Sequence, residues 1–181
     1  MKCECFREND DLRVDCNRKE MKKIPEFLIE NATVVDLSNN YIRELSTVDS
    51  RTWSKVSRLH LSNNSLLHFP DCVFLPNVKF LSLDGNRLTE LPSGLMNLID
   101  VSAEFTVYLS RNNWSCDCHS RFTKDWLLRN KMKIADFSEI SCERNSSVFS
   151  FTSIISNNQC MQISEDNLMS KENVSCTNGV C

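Results

Sequence analysis

The chain has 181 residues, and its hydrophobic content of 41% is enough for a packed core in one or two domains. The formal net charge of -3 argues against a nucleic-acid-binding protein, which needs a basic surface. The segment from Met1 to Phe6 lacks the apolar core of a signal peptide, and no run of about 18 apolar residues follows it. Because the cysteines and sequons described next favour export, we expect a piece of a longer protein whose two ends are cuts.

The cysteines and glycosylation sequons indicate an oxidising, extracellular compartment. Most of the ten cysteines crowd toward the two ends, and only Cys72 lies between, as in proteins closed by disulfide-tied caps. Sequons of the form N-x-S/T favour export as well. They begin at Asn31, Asn63, Asn113, Asn145 and Asn173.

Residues 1–25 are predicted to form an N-terminal cysteine cap. Cys3, Cys5 and Cys16 have the spacing C-x-C-x10-C, and Leu12 and Val14 alternate with polar residues. This pattern predicts a disulfide-tied hairpin that covers the first repeat of a stacked array, whose edge would otherwise be exposed. The basic cluster that follows is either a docking patch or a solvated face, and interruption by Glu20 favours the latter. Its members are Arg18, Lys19, Lys22 and Lys23.

Residues 26–112 repeat the pattern L-x-x-L-x-L-x-x-N-x-L, which is that of the leucine-rich repeat. Two leucines on a short strand point to one face, and the following turn brings a third back to the same interior. There are three full copies and one degenerate copy. They contain Ala32, Val35, Leu37, Asn40, Ile42 and Leu45; Val56, Leu59, Leu61, Asn64, Leu66 and Phe69; Val78, Leu81, Leu83, Asn86, Leu88 and Leu91; and Val107, Leu109, Asn112 and Trp114. We expect an α/β solenoid, namely a short right-handed leucine-rich-repeat solenoid with a parallel concave sheet and disulfide-capped ends.

The asparagine of each repeat is predicted to be structural, because a polar side chain at an inward position must satisfy backbone groups of neighbouring turns. The segments that return the chain between strands contain proline and short polar residues, which predict turns or 3₁₀ pieces. Apolar residues in these returns are expected to cover the convex side of the core. They are Trp53, Val73, Phe74 and Leu75.

Residues 113–160 are predicted to form a C-terminal cysteine cap, and residues 161–181 a polar juxtamembrane tail. Trp114 stands where the template has leucine and is large enough to end the apolar column. Within residues 119–131, the spacing of Phe122, Trp126 and Leu127 predicts an amphipathic helix that lies on the last repeat.

The closing segment resembles the C-terminal cysteine cap of extracellular leucine-rich-repeat proteins. The resemblance rests on N-x-W-x-C-D-C from Asn112 to Cys118, W-L-L from Trp126, I-x-C from Ile140, and a final Cys160. The order of a C-x-C cap, about three repeats, a C-x-C closing cap and a polar tail resembles the membrane-proximal part of an invertebrate Toll receptor ectodomain. This resemblance covers residues 1–160.

The resemblance implies disulfide pairings that spacing alone does not decide, since four cysteines allow three connectivities. The implied pairs are Cys3 with Cys16, Cys116 with Cys142, and Cys118 with Cys160. The N-terminal cap departs from the family's usual four cysteines, which leaves Cys5 alone. Cys72 is either a buried apolar side chain or a partner of Cys5. Cys176 and Cys181 pair either with each other or with another chain.

No pattern typical of a catalytic site is present, and we expect neither an enzyme nor a cofactor. The three histidines, His60, His68 and His119, have no nucleophile in a motif context. Cys116, Asp117, Cys118 and His119 would suit a metal, but later cysteines complete a disulfide cap instead. We therefore expect no metal.

The candidate binding surface is the concave face, where residues alternate with the buried leucines and solenoids commonly bind partners. The rows are Val34, Asp36 and Ser38; Arg58, His60 and Ser62; Phe80, Ser82 and Asp84; and Thr106, Tyr108 and Ser110. Aromatic and arginine side chains are enriched in interfaces. The proposed binding residues are Arg58, His60, Phe80, Ser82 and Tyr108.

The resemblance implies a Toll-like receptor of innate immune or developmental signalling. The chain would then be part of the extracellular domain of a single-pass cell-surface protein. The segment that crosses the membrane would not be part of the present sequence. Its partners would be a cytokine-like protein ligand and a second receptor chain, and no nucleic acid. The alternative is a cell-adhesion or extracellular matrix protein with the same repeats and caps.

Overall fold

The structure, a computed structural model, describes residues 2–24, 31–45, 53–70, 75–115, 121–144 and 147–150. Its largest element is a six-stranded sheet whose strands follow chain order. These strands are β1 (Glu4–Glu8), β2 (Asp11–Asp15), β3 (Val34–Asp36), β4 (Arg58–His60), β5 (Phe80–Ser82) and β6 (Thr106–Tyr108). β1 and β2 are antiparallel, and every later pair is parallel.

The closing part of the chain contains two helices and a small second sheet. The helices are α1 (Ser93–Val101) and α2 (Arg121–Arg129), and residues Phe137–Glu139 form a 3₁₀ turn. The second sheet contains β7 (Trp114–Ser115), β8 (Ser141–Arg144) and β9 (Ser147–Ser150) in that order.

The core is a column in which one inward residue of each strand stacks on the next. Register aligns Val14, Val35, Leu59, Leu81 and Val107 across five strands, and all five are buried. Each strand places one such side chain inward because neighbouring residues of a strand point to opposite faces. The predicted solenoid with a parallel sheet is therefore confirmed.

The repeat asparagines form the predicted ladder. The Asn64 amide nitrogen donates to the carbonyl oxygens of Leu37 and Leu61, each within about 3.1 Å. Its oxygen accepts the backbone N–H of Ile42 at 3.0 Å, so the side chain binds its own repeat and the one before it. Asn40, Asn86 and Asn112 make the same kind of contacts.

The residue before each ladder asparagine has a left-handed backbone, which the repeat template does not reveal. The φ values are 56° at Asn39, 53° at Asn63, 67° at Gly85 and 53° at Arg111. Gly85 is also tightly packed, because a Cβ at this position would lie 2.3 Å from Asn63 Oδ1. Glycine therefore meets two requirements at once, a positive φ and the close approach of the neighbouring repeat.

Replacing Gly85 with alanine should lower the free energy of unfolding by about 1–3 kcal/mol, because a Cβ strains the left-handed backbone and collides with Asn63. Urea unfolding monitored by circular dichroism would measure the loss. Asn39→Gly is the matched control, since glycine accepts its φ of 56° without strain and only the exposed hydrogen bond from Asn63 is lost. Equal stability of Gly85→Ala and the parent protein would contradict the expectation.

The N-terminal cap is the predicted hairpin. β1 pairs with β2 from Glu4↔Asp15 to Glu8↔Asp11, and a disulfide joins Cys3 to Cys16. The other edge of β2 pairs with β3 in parallel, with Val14 opposite Val35, so the hairpin is continuous with the parallel sheet. Cys5 is free and exposed, as the resemblance implied.

Residues 134–136 end the sheet with a backbone segment and a carboxylate in place of another repeat. Ile134 forms a parallel bridge with Val107. The buried Asp136 carboxylate then accepts the backbone N–H groups of Leu109 at 2.9 Å and Ser110 at 2.7 Å. Trp114 is buried, as expected, and its indole N–H donates to the Leu109 carbonyl oxygen.

Helix α2 confirms the predicted amphipathic helix and packs against the end of α1. Trp126 and Leu127 are buried. The Trp126 indole and the Asn130 amide both donate to Asp100 Oδ1, at 3.0 Å and 2.9 Å. Helix α1 lies in the third return, for which the sequence reasoning predicted no helix, although Leu95, Met96 and Ile99 are spaced to share one buried face.

Some predicted features lie partly or wholly outside the described residues. Trp53 and Leu75 are buried as expected, whereas Val73 and Phe74 fall outside. Cys142 is disulfide-bonded. The remaining cysteine positions outside the described ranges are Cys72, Cys116, Cys118, Cys160, Cys176 and Cys181.

Candidate functional site

The concave face is a continuous surface because the strands β2 to β6 are in register. One row of paired residues runs Arg13, Val34, Arg58, Phe80 and Thr106, and the next runs Asp15, Asp36, His60, Ser82 and Tyr108. Adjacent strands lie about 4.8 Å apart, so side chains of successive repeats touch along each row. The structure thus brings together all five residues that the sequence suggested for binding.

Three rings form an aromatic cluster on strands β4 to β6 of this face, consisting of His60, Phe80 and Tyr108. The Phe80 ring centroid lies 4.7 Å from that of His60 and 5.6 Å from that of Tyr108, both in tilted arrangements. The guanidinium carbon of Arg58 lies 5.4 Å from the Phe80 ring centroid. Such aromatic pairs contribute about 0.5–1.5 kcal/mol and an exposed cation–π contact about 0.5–1 kcal/mol, so the cluster is a preformed apolar platform.

Ser82 belongs to the same face but is only 4% exposed. Its neighbours across the sheet are His60 and Tyr108, and Phe80 precedes it by two residues on the same strand face. The aromatic cluster therefore covers the serine. A repeat template assigns a residue to a face, but it does not show how neighbouring rings lean over that residue.

The N-terminal cap extends the face, and the sequence reasoning did not include it. Phe6 pairs with Arg13, so both project on the concave side. The Arg13 guanidinium carbon lies 5.8 Å from the Phe6 ring centroid, and its Nη2 lies 3.9 Å from Asp36 Oδ2. The alternation of Leu12, Val14 and Cys16 toward the core was the signal, since it already required Arg13 to point outward.

The carboxylates of Asp36 and Asp84 on this face accept hydrogen bonds from groups within the chain. Asp36, which is 9% exposed, accepts hydrogen bonds from the backbone N–H and hydroxyl of Ser38. Asp84 accepts the Ser62 hydroxyl at 2.6 Å and pairs with Arg111 at 2.5 Å. Acidic groups are therefore less available to a partner than their number suggests.

His60 has a lowered pKa, chiefly because burial penalises the imidazolium form. Asp36 and Asp15 act to raise the pKa, and Arg13 and Arg58 act to lower it. The neutral imidazole is thus favoured in the folded state, which suits its packing against the Phe80 ring.

We expect His60 to titrate below its ordinary value of 6.5 in the folded protein. His60 then binds a proton less readily in the folded state than in the unfolded state. Its contribution to the stability of the fold is therefore fully present above pH 6.5 and is lost as the pH falls below that value. An NMR titration of the imidazole would measure the midpoint. Arg58→Gln should raise it, whereas Arg87→Gln, a loss of charge away from the face, should not. A midpoint at or above 6.5 would contradict the lowered pKa.

The described sequons lie on exposed turns. Asn31 precedes β3, Asn63 follows β4, and Asn113 follows the last ladder asparagine; all three are exposed. The Asn63 amide nitrogen donates to Asn39 Oδ1 at 3.1 Å, along the edge of the concave face. Asn145 and Asn173 lie outside the described residues.

Within the described ranges, no group of three or more His, Cys, Asp or Glu residues is arranged to hold a metal ion. The C-x-C-H segment, residues 116–119, lies outside them. No helix in the described part of the chain combines the length and apolar character that a membrane crossing requires.

Comparison with known proteins agrees with the repeats and the fold. The family model described as "Leucine rich repeat" matches residues 30–88. Drosophila melanogaster Protein toll is 26% identical over 151 residues, which cover 77% of this chain and 13% of that protein. A Drosophila Toll–Spatzle complex structure matches with a TM-score of 0.69 and 25% identity, covering 83% of this chain and 20% of the solved chain. The chain is a leucine-rich-repeat protein with Toll-like relatives.

The chain is also similar to leucine-rich-repeat proteins other than Toll. Protein halfway of Drosophila pseudoobscura pseudoobscura is 29% identical over 135 residues, covering 71% of this chain and 23% of that protein. The chain spans about a quarter of the length of the first curated relatives that it matches. Leucine-rich-repeat folds are typically non-enzymatic, and stacked repeats commonly bind partners on their concave surface.

Proposed function

We propose that this chain is an extracellular, non-enzymatic protein-binding module that uses its concave face. The observation that carries the proposal is the aromatic cluster, a half-buried group of rings beside Arg58 on strands β4 to β6 of the sheet. Tyrosine, tryptophan and arginine are enriched among the residues that carry most of the binding energy of protein interfaces, and aromatic rings bury large apolar areas.

Within that function, we favour the membrane-proximal repeats of a Toll-like receptor of innate immune or developmental signalling. The similarity to the Toll chain of the Toll–Spatzle complex supports this choice, since it extends over 83% of the chain. The module would help to place two receptor chains side by side when a cytokine-like ligand binds. Residues 1–25 and 113–160 would serve as its caps, and residues 161–181 as the tail toward the membrane.

The test is to block the face with a glycan in the full-length protein. Thr106→Asn combined with Tyr108→Thr creates an N-x-T sequon on β6, at the position that pairs with Phe80 across the sheet. Ligand-induced association of two full-length receptors, measured by energy transfer between fluorescent fusions, should fall to background. A glycan is bulky and hydrated, so it excludes a partner from the surface without disturbing the core.

The matched control places a glycan elsewhere. Val101→Asn combined with Ala103→Thr creates a sequon at the exposed end of α1, where Val101 is 82% exposed. This variant should associate normally. Undiminished association of both variants would show that the concave face binds no partner. Loss of cell adhesion without any effect on receptor association would instead favour the adhesion or matrix alternative.

A further inference from the structure

The Ser82 hydroxyl is an exception on the concave face. The Ser38 and Ser62 hydroxyls donate to Asp36 and Asp84 at 2.5 Å and 2.6 Å. Ser82 Oγ is buried and has no hydrogen-bond partner within the described part of the chain. A buried polar atom without a partner lowers stability, and alanine would fill the same place without that penalty. The free protein therefore gives no reason for a serine here.

The geometry shows what covers the hydroxyl. His60 and Tyr108 are the register neighbours of Ser82 on the two adjacent strands. The Phe80 ring contacts both of their rings, at 4.7 Å and 5.6 Å, so it lies between them and over Ser82. Rotation of this one half-buried ring would open the hydroxyl to the concave face.

Arg58 lies on the other side of the same ring and also lacks an internal partner. Its guanidinium carbon is 5.4 Å from the Phe80 centroid, and no hydrogen bond or ion pair engages it in the described residues. Arg58 and Ser82 are diagonal neighbours on β4 and β5. A guanidinium only donates hydrogen bonds and a hydroxyl can donate, so the group that complements both is an anionic acceptor.

We infer that the concave face takes an acidic side chain of a protein partner, whose carboxylate displaces the Phe80 ring and binds between Arg58 and the Ser82 hydroxyl. An apolar residue next to that acid packs on the Phe80 and Tyr108 rings. This inference rests on the proposed function and specifies its chemistry. An acidic peptide suits this face better than a sulfated polysaccharide does. The face carries Asp36 and Asp84 beside its arginines, and the whole chain has a net charge of -3, so a ligand with many negative charges is repelled more strongly than a single carboxylate.

The test titrates the isotopically labelled, oxidised full chain with the capped peptide Gly-Leu-Asp-Leu-Gly and follows backbone and Phe ring resonances by NMR. The largest shifts should fall on Arg58, Ser82 and the Phe80 ring. The same peptide with Asn in place of Asp should bind about tenfold more weakly, because a neutral amide replaces the charged carboxylate that accepts the hydrogen bonds.

Variants separate the two contacts from general effects. Arg58→Gln should weaken peptide binding about tenfold, and Ser82→Ala should weaken it severalfold while leaving the melting temperature equal or higher. A combination of equal or higher stability and weaker binding is not expected from a merely structural residue. Arg87→Gln and Ser62→Ala are the matched controls, since Arg87 lies off the face and the Ser62 hydroxyl already bonds within the chain.

Three outcomes would overturn the inference. They are equal affinity for the Asp and Asn peptides, unchanged binding in Ser82→Ala, and binding of a heparin oligosaccharide at Arg58 without binding of the peptide. If the peptide fails but the glycan on β6 still abolishes receptor association, the proposed function stands and only the acidic chemistry is wrong. If that glycan has no effect either, both are wrong.

Discussion

Asn64→Ala should lower the free energy of unfolding by about 3–5 kcal/mol. The substitution removes the amide that accepts the Ile42 N–H and donates to the carbonyls of Leu37 and Leu61. Each buried backbone group left without a partner costs about 1–3 kcal/mol, and these groups lie in the middle of the stack where water cannot replace the amide. Domain stabilities are about 5–15 kcal/mol, so we expect a protein close to unfolding at 37 °C.

Urea unfolding with the disulfides kept oxidised would measure this loss through the transition midpoint at constant slope. Asn113→Ala is the matched control, because that side chain is an exposed asparagine next to the ladder residue Asn112. Its effect should stay within about 0.5 kcal/mol. A loss below 1 kcal/mol for Asn64→Ala would show that the ladder contributes far less than its hydrogen bonds indicate.

Asp136→Ala should cost about 3–4 kcal/mol and loosen the closing end of the sheet first. Two buried N–H groups, those of Leu109 and Ser110, lose the charged acceptor that takes the place of a following repeat. Asp136→Asn should cost less, because the amide keeps one acceptor oxygen in the same position. Asp125→Ala, on the exposed side of α2, should be neutral.

Hydrogen exchange would locate the effect of Asp136→Ala within the chain. The amides of Leu109 and Ser110 should exchange much faster than in the parent protein. The Leu37 amide should change less, because it donates to the His60 carbonyl three repeats away from the closing end. In a stacked array each repeat contacts only its neighbours, so a local defect propagates weakly. Uniform acceleration across all strands would contradict a localised role of Asp136.

The repeat pattern predicts which residues lie on the concave face, but it does not predict that Ser82 is buried there. Alternation decides which side of the strand each residue occupies, and Arg58, Phe80 and Tyr108 all lie where it places them. It does not decide exposure, because exposure depends on the side chains of the two adjacent strands. Ser82 was therefore expected to be open and is covered by three rings.

The sequence by itself determined the features that repeat with a fixed local spacing. The buried leucines, the ladder asparagines and the N-terminal hairpin follow from alternation, the L-x-x-L-x-L-x-x-N spacing and the need to close an array. Helix α1 also had a local signal in Leu95, Met96 and Ile99, and it went unpredicted because a variable return has no template.

The tertiary structure alone decided how the array ends and which groups remain without partners. Asp136 closes the sheet from a position 26 residues beyond Ser110, and no local spacing connects the two. The left-handed backbone at Gly85, the contact of Arg13 with Asp36 and the unpaired hydroxyl of Ser82 likewise arise between strands. The physical reason is that hydrogen bonding and burial at these positions depend on residues more than 20 positions apart that only the register brings into contact.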